Sequence, residues 1–277
     1  MIIRKSAQEI AKMAAAGRVV AETIAHVGEQ LEPGITTGEL DRIAEEVIRS
    51  HGGIPTSQGY RGYPAAICIS PNSMVVHGIP GAYAVAEGDL ITIDVGVTLD
   101  GYIADSAYTF GVGEVSELAQ RLLDTGRDAL VAGIAQARPG NRVGDISSAV
   151  QHHVEGQGFS VVRSLVGHGV GRSYHEDPHI PNFGQPGRGP LLVRGDDARD
   201  RADDHRRAAR GLCARRRMVD LDRGRVARGP LRAHRRNHRR RAPDPDGEQG
   251  RSATIERPRG SAPCFAARQV IPYHERG

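Results

Sequence analysis

Apolar residues in the first two-thirds of the chain recur at helical spacing in some segments and at strand spacing in others. Ser6 with Glu9, and Thr36 with Glu39, form capping-box patterns directly before two of the helical segments. Pro-Gly or Gly-Gly pairs end three of these segments, and a single glycine ends the fourth. The spacing therefore predicts four helices, at about residues 6–32, 36–51, 116–137 and 143–155.

Strand-like segments lie between these helices. They span residues 66–70, 74–77, 90–98, 102–112 and 159–166. Asp100-Gly101 separates the third from the fourth, and this dipeptide is typical of a tight two-residue hairpin turn. The pattern predicts an α+β fold in which helices pack on a largely antiparallel sheet.

The alternation stops after Val193. Residues 1–193 carry 14 Lys and Arg against 21 Asp and Glu, whereas residues 194–277 carry 23 Arg, no Lys and 12 acidic residues. Segments such as 199–210 and 232–241 have no apolar face at either helical or strand spacing. We therefore divide the chain into an ordered region, 1–193, and an arginine-rich region, 194–277, which as written cannot bury enough apolar surface to order itself.

Composition excludes several classes of protein. No segment approaches the roughly 18–20 consecutive apolar residues needed to span a membrane. The first residues have no apolar core or small-residue cleavage site, so no secretory signal is predicted. Three cysteines at positions 68, 213 and 264 do not make a disulfide framework or a zinc knuckle. We expect a cytoplasmic protein with no membrane partner.

The predicted hairpin brings two aspartates together. With Asp100-Gly101 as its turn, Asp94 lies opposite Ala107, and Asp105 shares the face of Ala107 because side chains alternate along a strand. Two aspartates in a hairpin can simply be solvated surface charges. Asp94, however, interrupts a strand too apolar to be a solvent edge, and a buried carboxylate requires a partner, for which a metal ion is a good candidate.

Three histidines lie near ends of predicted strands. His168 is flanked by glycines, which allow an imidazole to approach a metal closely, and His175 follows seven residues later. His77 is the last residue of the short segment predicted as a strand at 74–77. Each histidine alone is more often structural than functional, so the type and spacing of these residues leave both interpretations open.

Taken together and in order, these motifs resemble one family. The segments VVHGIP (75–80), ITIDVGVTLDGYIADSAYTF (91–110) and GHGVGRSYHEDPHIPNF (167–183) are similar to those of type I methionine aminopeptidases across residues 3–193. Tyr60-Arg61-Gly62-Tyr63-Pro64 and Cys68-Ile69-Ser70 also match that family's substrate pocket. The resemblance implies the pita-bread fold, in which two pseudo-symmetric halves surround a central metal site.

The resemblance also implies the chemistry. Asp94 would bind one divalent ion, Asp105 would bridge two ions, and His168 would bind the other. The ions would be cobalt, manganese, iron or zinc, and the reaction would be two-metal-assisted hydrolysis that removes the initiator methionine. His77 and His175 would be the catalytic residues that contact the substrate.

The remaining expectations concern the pocket and the partners. By resemblance, the methionine pocket and its rim are lined by His77, His175, Tyr60, Tyr63, Cys68 and Tyr174. The substrates would be nascent polypeptides that begin with methionine, with transient contact to the ribosome, no specific nucleic acid, and a monomeric enzyme. A related interpretation is an aminopeptidase P or prolidase relative, although those proteins usually carry an extra N-terminal domain.

The sequence departs from the family after Val193. Two glutamate ligands that the family carries in its last third are absent. If one extra base has entered the coding sequence near Arg194, the shifted triplets allow family-like segments and place the glutamates at Arg201 and Arg232. On this hypothesis the written chain is a poorly folded and inactive polypeptide. The alternative is a catalytically inactive family member whose arginine-rich tail binds nucleic acid.

Overall fold

The computed structural model describes residues 2–193. Its helices are α1 (Ala7–Glu29), α2 (Thr37–Ser50), α3 (Glu117–Gln136) and α4 (Val143–Gly156), with a short 3-10 turn at Tyr60–Gly62. Its strands are β1 (Ile54–Pro55), β2 (Cys68–Pro71), β3 (Leu90–Leu99), β4 (Tyr102–Gly111), β5 (Val166–Gly169) and β6 (Glu176–Pro181). The predicted α+β class is confirmed, and every strand pair is antiparallel.

The first half is built on the β3–β4 hairpin. Asp100 and Gly101 form its two-residue turn with φ values of 51° and 76°, as a type I′ turn requires. β3 is the central strand, because β1, β2 and β4 all pair with it. Its side chains are buried from Leu90 to Val97 on both faces, and α1 packs on β3 and β4. This double burial explains why the strand is a nearly continuous apolar run.

Both predicted capping boxes form at the helix N-termini. Ser6 and Thr36 accept from the backbone N–H of the residue three positions on, and Glu9 and Glu39 bond back to the cap N–H groups. The apolar face of α2 is formed by the buried Leu40, Ala44 and Ile48, which lie four residues apart, and the half-buried Ile43 and Val47 flank them.

The second half places α3 and α4 against each other and against the β5–β6 pair. Ser116 caps α3, as the predicted start indicated. Ala129 and Val150 form a small core between the helices with Val161. The region 194–277, with its predicted disorder and both displaced glutamate positions, lies outside the described residues.

The structure corrects the predicted strands at three places. Residues 74–77 are not a strand, because the chain turns at Asn72 and folds back so that Gly78 bonds to Ile69 and to the Ser70 side chain. Residues 159–165 are not a strand either. Their apolar side chains pack against α3 and α4, and the Asn182 amide satisfies the Val162 carbonyl at 2.8 Å.

The third correction is β6, which the sequence did not predict. Two prolines and three charged or ionisable residues within Glu176–Pro181 hide its strand character. Its pairing with β5 is interrupted by a register shift between His168 and Gly169. Within the described part of the chain, no helix has the length and apolar character needed to cross a membrane.

The hairpin turn gives a direct test of the β3–β4 register. Replacing Gly101 with Ala puts a side chain at φ 76° and should lower the free energy of unfolding by about 1 kcal/mol. Gly126→Ala is the matched control, because Gly126 lies within α3 with open space around it. This variant should raise the free energy of unfolding by up to about 1 kcal/mol. Urea unfolding followed by circular dichroism measures both, and equal effects would contradict the turn assignment.

Candidate metal centre and substrate pocket

The hairpin register places two carboxylates at the centre of the molecule. Asp94 on β3 lies opposite Ala107, as predicted, and Asp105 on β4 lies opposite Gly96. Both side chains project from the same face, and both are almost completely buried, with 4% and 0% of their surface exposed. Because burial of an ionised carboxylate is costly without a partner, this face requires a cation or hydrogen-bond donors.

The second half brings an imidazole to these carboxylates. His168 lies on β5, is buried, and has its Nε2 3.7 Å from Asp105 Oδ2. Its Nδ1 lies 2.9 Å from the Gly169 carbonyl oxygen. If Nδ1 carries the proton and donates to that carbonyl, Nε2 presents a lone pair toward the carboxylates, the orientation that a metal-binding histidine needs.

The donor types suit a divalent cation, but the donor set is incomplete. Asp94 Oδ1 is buried and has no hydrogen-bond partner among the described residues. Carboxylate oxygens with one imidazole suit manganese, iron, cobalt or zinc. Within residues 2–193, however, no three His, Cys, Asp or Glu side chains lie close enough to hold an ion. The described residues therefore offer donors of suitable types without a complete group of three.

Aromatic rings surround the exposed side of the carboxylates. His175 lies 4.1 Å from His168 between ring centroids, and its Nδ1 lies 3.0 Å from the Tyr60 hydroxyl. Tyr174 meets Tyr60 edge-to-face at 5.1 Å. The Tyr174 hydroxyl is within 3.0 Å of Ser57 Oγ. These contacts cross between the two halves and join the rings into one group, which would form the wall of the substrate pocket expected from the motifs.

Tyr63 and Cys68 form the floor beside that wall. Cys68 is buried and pairs with Asp94 on the neighbouring strand, so its thiol lies next to the carboxylate face. The Tyr63 hydroxyl donates to the Gly78 carbonyl at 2.8 Å. Burial raises the pKa of Tyr63, and its hydrogen bond with Cys68 raises it further, so the phenol stays neutral. The floor is thus uncharged and largely apolar.

His77 is placed differently from expectation. It is exposed and lies in irregular chain with φ 57°, rather than at the end of a strand. The next residue, Gly78, bonds to Ile69 and accepts from Tyr63, which holds this segment beside the pocket floor. The structure thus brings eight of the nine predicted site residues into two adjoining groups and puts His77 on the segment that borders them. One group is Asp94, Asp105 and His168, and the other is Tyr60, Tyr63, Cys68, Tyr174 and His175.

Three residues that sequence reasoning missed shape the site. Gly96 faces Tyr174 so closely that a Cβ there would overlap the ring, and a lone glycine inside an apolar strand is the signal that could have found it. Glu176 accepts from the backbone N–H of Arg172 and Ser173 and from Lys5 Nζ at 2.6 Å. It thereby fixes the turn that carries Tyr174 and His175. Nothing local in the sequence indicates Lys5, which lies 171 residues away.

Comparison with known proteins identifies close relatives. The model of metallopeptidase family M24 matches residues 11–198. A methionine aminopeptidase of Clostridium perfringens is 51% identical over 195 residues, which are 70% of this chain and 78% of that protein.

Solved structures show the same fold. The crystal structure of methionine aminopeptidase from Rickettsia prowazekii superposes with a TM-score of 0.69 at 39% identity, covering 70% of this chain and 79% of that one. A prolidase from Pyrococcus furiosus gives a TM-score of 0.59 at 21% identity, with 70% and 55% covered, and shows the fold alone. The pita-bread architecture expected from the motifs is therefore confirmed.

The orphaned oxygen of Asp94 predicts that this residue limits stability when no metal is bound. Asp94→Asn removes a buried negative charge and should raise the thermal midpoint in buffer containing a chelator. Asp89→Asn is the matched control and should lower the midpoint, because the Asp89 carboxylate accepts from Asn72, Tyr83 and the Ala86 N–H. An equal decrease of the thermal midpoint in both variants would contradict the view that the buried Asp94 carboxylate limits stability.

The Lys5–Glu176 pair predicts an acid-sensitive contact. Burial alone would raise the pKa of Glu176, but bonds from Lys5 and from the Ser173 and Arg172 N–H groups hold it below its ordinary value of 4.5. Its stabilisation is therefore complete above about pH 4.5 and is lost as pH falls through the lowered pKa. Lys5→Met should lower the free energy of unfolding by about 2 kcal/mol at neutral pH. The difference in this free energy between the variant and the parent chain should shrink below pH 4.5.

The matched control for that variant is Arg42→Met. Arg42 and Glu46 form an exposed pair on α2, each with 64% of its side chain exposed, so the loss should not exceed about 0.5 kcal/mol. Unfolding by urea at several pH values measures both variants. A Lys5→Met penalty that is small or independent of pH would show that the pair does not hold the turn.

Proposed function

This chain belongs to metallopeptidase family M24, and from that premise we propose that its reaction is the hydrolytic removal of an N-terminal methionine with divalent metal ions. The observation that carries the proposal is the buried pair Asp94 and Asp105, with His168 beside Asp105 and with tyrosine rings and Cys68 around them. A metal-binding face and an apolar pocket at the same place are what cleavage beside an apolar first residue requires.

The ions would be held by Asp94, Asp105 and His168 on the side of the described residues. When bound, two such ions position a water and polarise the peptide carbonyl. Asp105 shares its face with Asp94 and lies 3.7 Å from His168, so it would contribute to metal binding together with both of them. Ligand type does not choose among cobalt, manganese, iron and zinc.

His175 and His77 would act on the substrate. With the Tyr60 hydroxyl donating to His175 Nδ1, Nε2 carries the proton and can donate to an oxygen that gains negative charge. Glu176 and Lys5 hold the His175 backbone, so this donor is fixed before the substrate arrives. His77 borders the pocket floor and would contact the peptide beyond the methionine.

The pocket suits a methionine side chain. Tyr60, Tyr63 and Tyr174 offer aromatic edges, with which a thioether makes favourable contacts, and the buried Cys68 keeps the floor apolar. Neutrality of Tyr63 excludes a fixed charge that would favour lysine or glutamate as the first residue. The pocket thus favours an unbranched apolar side chain over a charged one.

The wider setting follows from this reaction. We place the enzyme in the cytoplasm, acting as a monomer on nascent chains that begin with methionine, with transient contact to the ribosome. The alternative, an inactive member whose tail binds nucleic acid, depends on residues 194–277, which lie outside the described residues. Similarity to methionine aminopeptidases does not support it.

Activity of the chain as written is a separate matter, because residues 194–277 contain neither family glutamate segment. We expect the 277-residue polypeptide to release no methionine from Met-Ala-Ser, and the polypeptide with one base removed near codon 194 to release it when supplied with manganese or cobalt. In the latter, Asp105→Asn should reduce the rate by 100-fold or more, since loss of even an outer hydrogen-bond partner of a metal ligand costs roughly 10–100-fold.

The matched control is Asp100→Asn in the turn of the same hairpin, where the side chain is exposed and asparagine tolerates the positive φ. It should leave the rate unchanged. A peptide beginning Ala-Pro should not be cleaved. Cleavage of that peptide in preference to Met-Ala-Ser would favour a prolidase-like enzyme, and full activity of Asp105→Asn would remove the proposed metal role.

A further inference from the structure

Residues 66–81, the floor loop, carry one side of the pocket floor. The loop runs through β2, where Cys68 lies opposite Asp94 on β3. It turns at Asn72, where φ is 50°, and returns through His77. Two of the predicted site residues thus lie on this loop, and the position of the loop determines theirs.

The two limbs of the floor loop are tied to each other. The Ile69 N–H donates to the Gly78 carbonyl at 3.0 Å, and the Gly78 N–H donates to Ser70 Oγ at 3.0 Å. The Tyr63 hydroxyl lies between the limbs, 3.2 Å from the Ile67 carbonyl oxygen and 2.8 Å from that of Gly78. A displacement of either limb would therefore move the tyrosine that completes the floor.

Helix α2 holds the first end of the floor loop through Asp41. Ala66 and Ile67 are fully buried but precede the pairing of β2 with β3, which begins at Cys68, so their N–H groups need other acceptors. The Asp41 carboxylate accepts from the Ile67 N–H at 2.9 Å and from the Ala66 N–H. Burial raises the pKa of Asp41 above 3.8, and these two bonds oppose that rise. Asp41 is thus a half-buried acceptor for the backbone that leads into Cys68.

The same face of α2 holds the other end of the loop. Thr37 lies one turn before Asp41, so the two side chains are neighbours on the helix surface. The Gly81 N–H donates to Thr37 Oγ1 at 3.0 Å, and the Thr37 hydroxyl lies 3.2 Å from the Gly81 carbonyl oxygen. The Gly38 N–H donates to that carbonyl at 2.9 Å. Both ends of the floor loop are therefore attached to one turn of α2.

Helix α2 is itself fixed relative to β3. Its buried residues Leu40, Ala44 and Ile48 belong to the same core cluster as Ile91 and Ile93 of that strand. The strand that carries the metal-facing carboxylate and the helix that holds the floor loop thus share one packed core. Such packing has little freedom to shift, so α2 gives the floor a fixed position relative to β3.

We propose that Thr37 and Asp41 are positioning residues for the methionine pocket and set the distance between its floor and β3. Each acts through the backbone of the floor loop, at Gly81 or at Ala66 and Ile67. A floor held in one place by hydrogen bonds behind it keeps the pocket in one shape before the substrate arrives. The attachment rests on these contacts alone, whereas its meaning for methionine rests on the proposed function.

Alkylation of Cys68 by iodoacetamide tests the attachment at Asp41. Because Cys68 is buried, the reaction requires the floor to open, and peptide mass spectrometry separates Cys68 from Cys213 and Cys264. In the 277-residue chain, Asp41→Ala leaves two buried N–H groups without their acceptor and should raise the alkylation rate of Cys68 roughly 10-fold or more. Asp41→Asn keeps an oxygen acceptor for Ile67 and should stay within about 3-fold of the parent chain.

Two control variants separate local opening from general destabilisation. Glu45→Ala removes a carboxylate one turn further along α2 that pairs with Arg49, and it should leave the rate unchanged. Gly101→Ala weakens the hairpin turn away from the floor loop. Rates are compared after correction for the unfolding free energy of each variant in urea. Equal acceleration by Gly101→Ala and Asp41→Ala would show that exposure of Cys68 follows overall stability, and would overturn the proposal.

The attachment at Thr37 has a second readout. Thr37→Val removes the hydroxyl that accepts from Gly81, so amide exchange of Gly81 should quicken roughly 10-fold while that of Gly34, which donates to Val85, stays unchanged. Alkylation of Cys68 should also quicken. Thr37→Ser keeps the hydroxyl and should restore both rates. If Cys68 reacts at the parent rate in Thr37→Val, Thr37 does not position the floor.

Excess free L-methionine tests the assignment of the pocket separately. It should slow alkylation of Cys68 in the parent chain, whereas L-glutamate should not, because the two buried carboxylates disfavour an acidic side chain. Faster alkylation in Asp41→Ala without protection by methionine would leave the positioning role standing and contradict the proposed function. Protection by methionine with an unchanged rate in Asp41→Ala would overturn the positioning role and leave the pocket assignment standing.

Discussion

The register of the β3–β4 hairpin is the constraint on which the rest of the structure depends. The Asp100-Gly101 turn fixes Asp94 opposite Ala107, so that Asp94 and Asp105 share one face of a strand pair buried on both sides. A shift of one residue in this pairing would put the two carboxylates on opposite faces of the sheet and turn an apolar neighbour toward the site. The fold thus places two buried carboxylates at its centre, and a cation or hydrogen-bond donors must offset the cost of burying them.

The second half of the described chain adds an imidazole and aromatic rings to the two carboxylates of the hairpin. His168 reaches Asp105 from β5, and the following turn carries Tyr174 and His175 against Tyr60 and Ser57 of the first half. That turn is held by Glu176, which is itself held by Lys5 near the N-terminus. Site geometry therefore depends on contacts between segments far apart in sequence.

Local signals account for what the sequence could predict. The capping boxes at Ser6 and Thr36, the helix ends and the hairpin turn all depend on residues within a few positions of one another, and each formed as expected. Segment 74–77 was misassigned because the chain folds back on β2 there. Segment 159–165 was misassigned because its apolar residues are buried by helices distant in sequence. The prolines of β6 concealed its strand character. Residues such as Lys5 and Ser57 could not be found, since only the tertiary fold brings them to the site. The roles of the nine predicted site residues stay predictions.

Metal stoichiometry measures the central claim most directly. Manganese binding would be counted by isothermal titration on the chain as written and on the frame-restored chain, each freed of metal beforehand. If the described residues are one half of a two-metal centre, the restored chain binds two ions, and the chain as written binds at most one, weakly. Two tightly bound ions on the 277-residue chain, lost with Asp105→Asn, would contradict the account, because residues 194–277 would then supply the missing ligands as they stand.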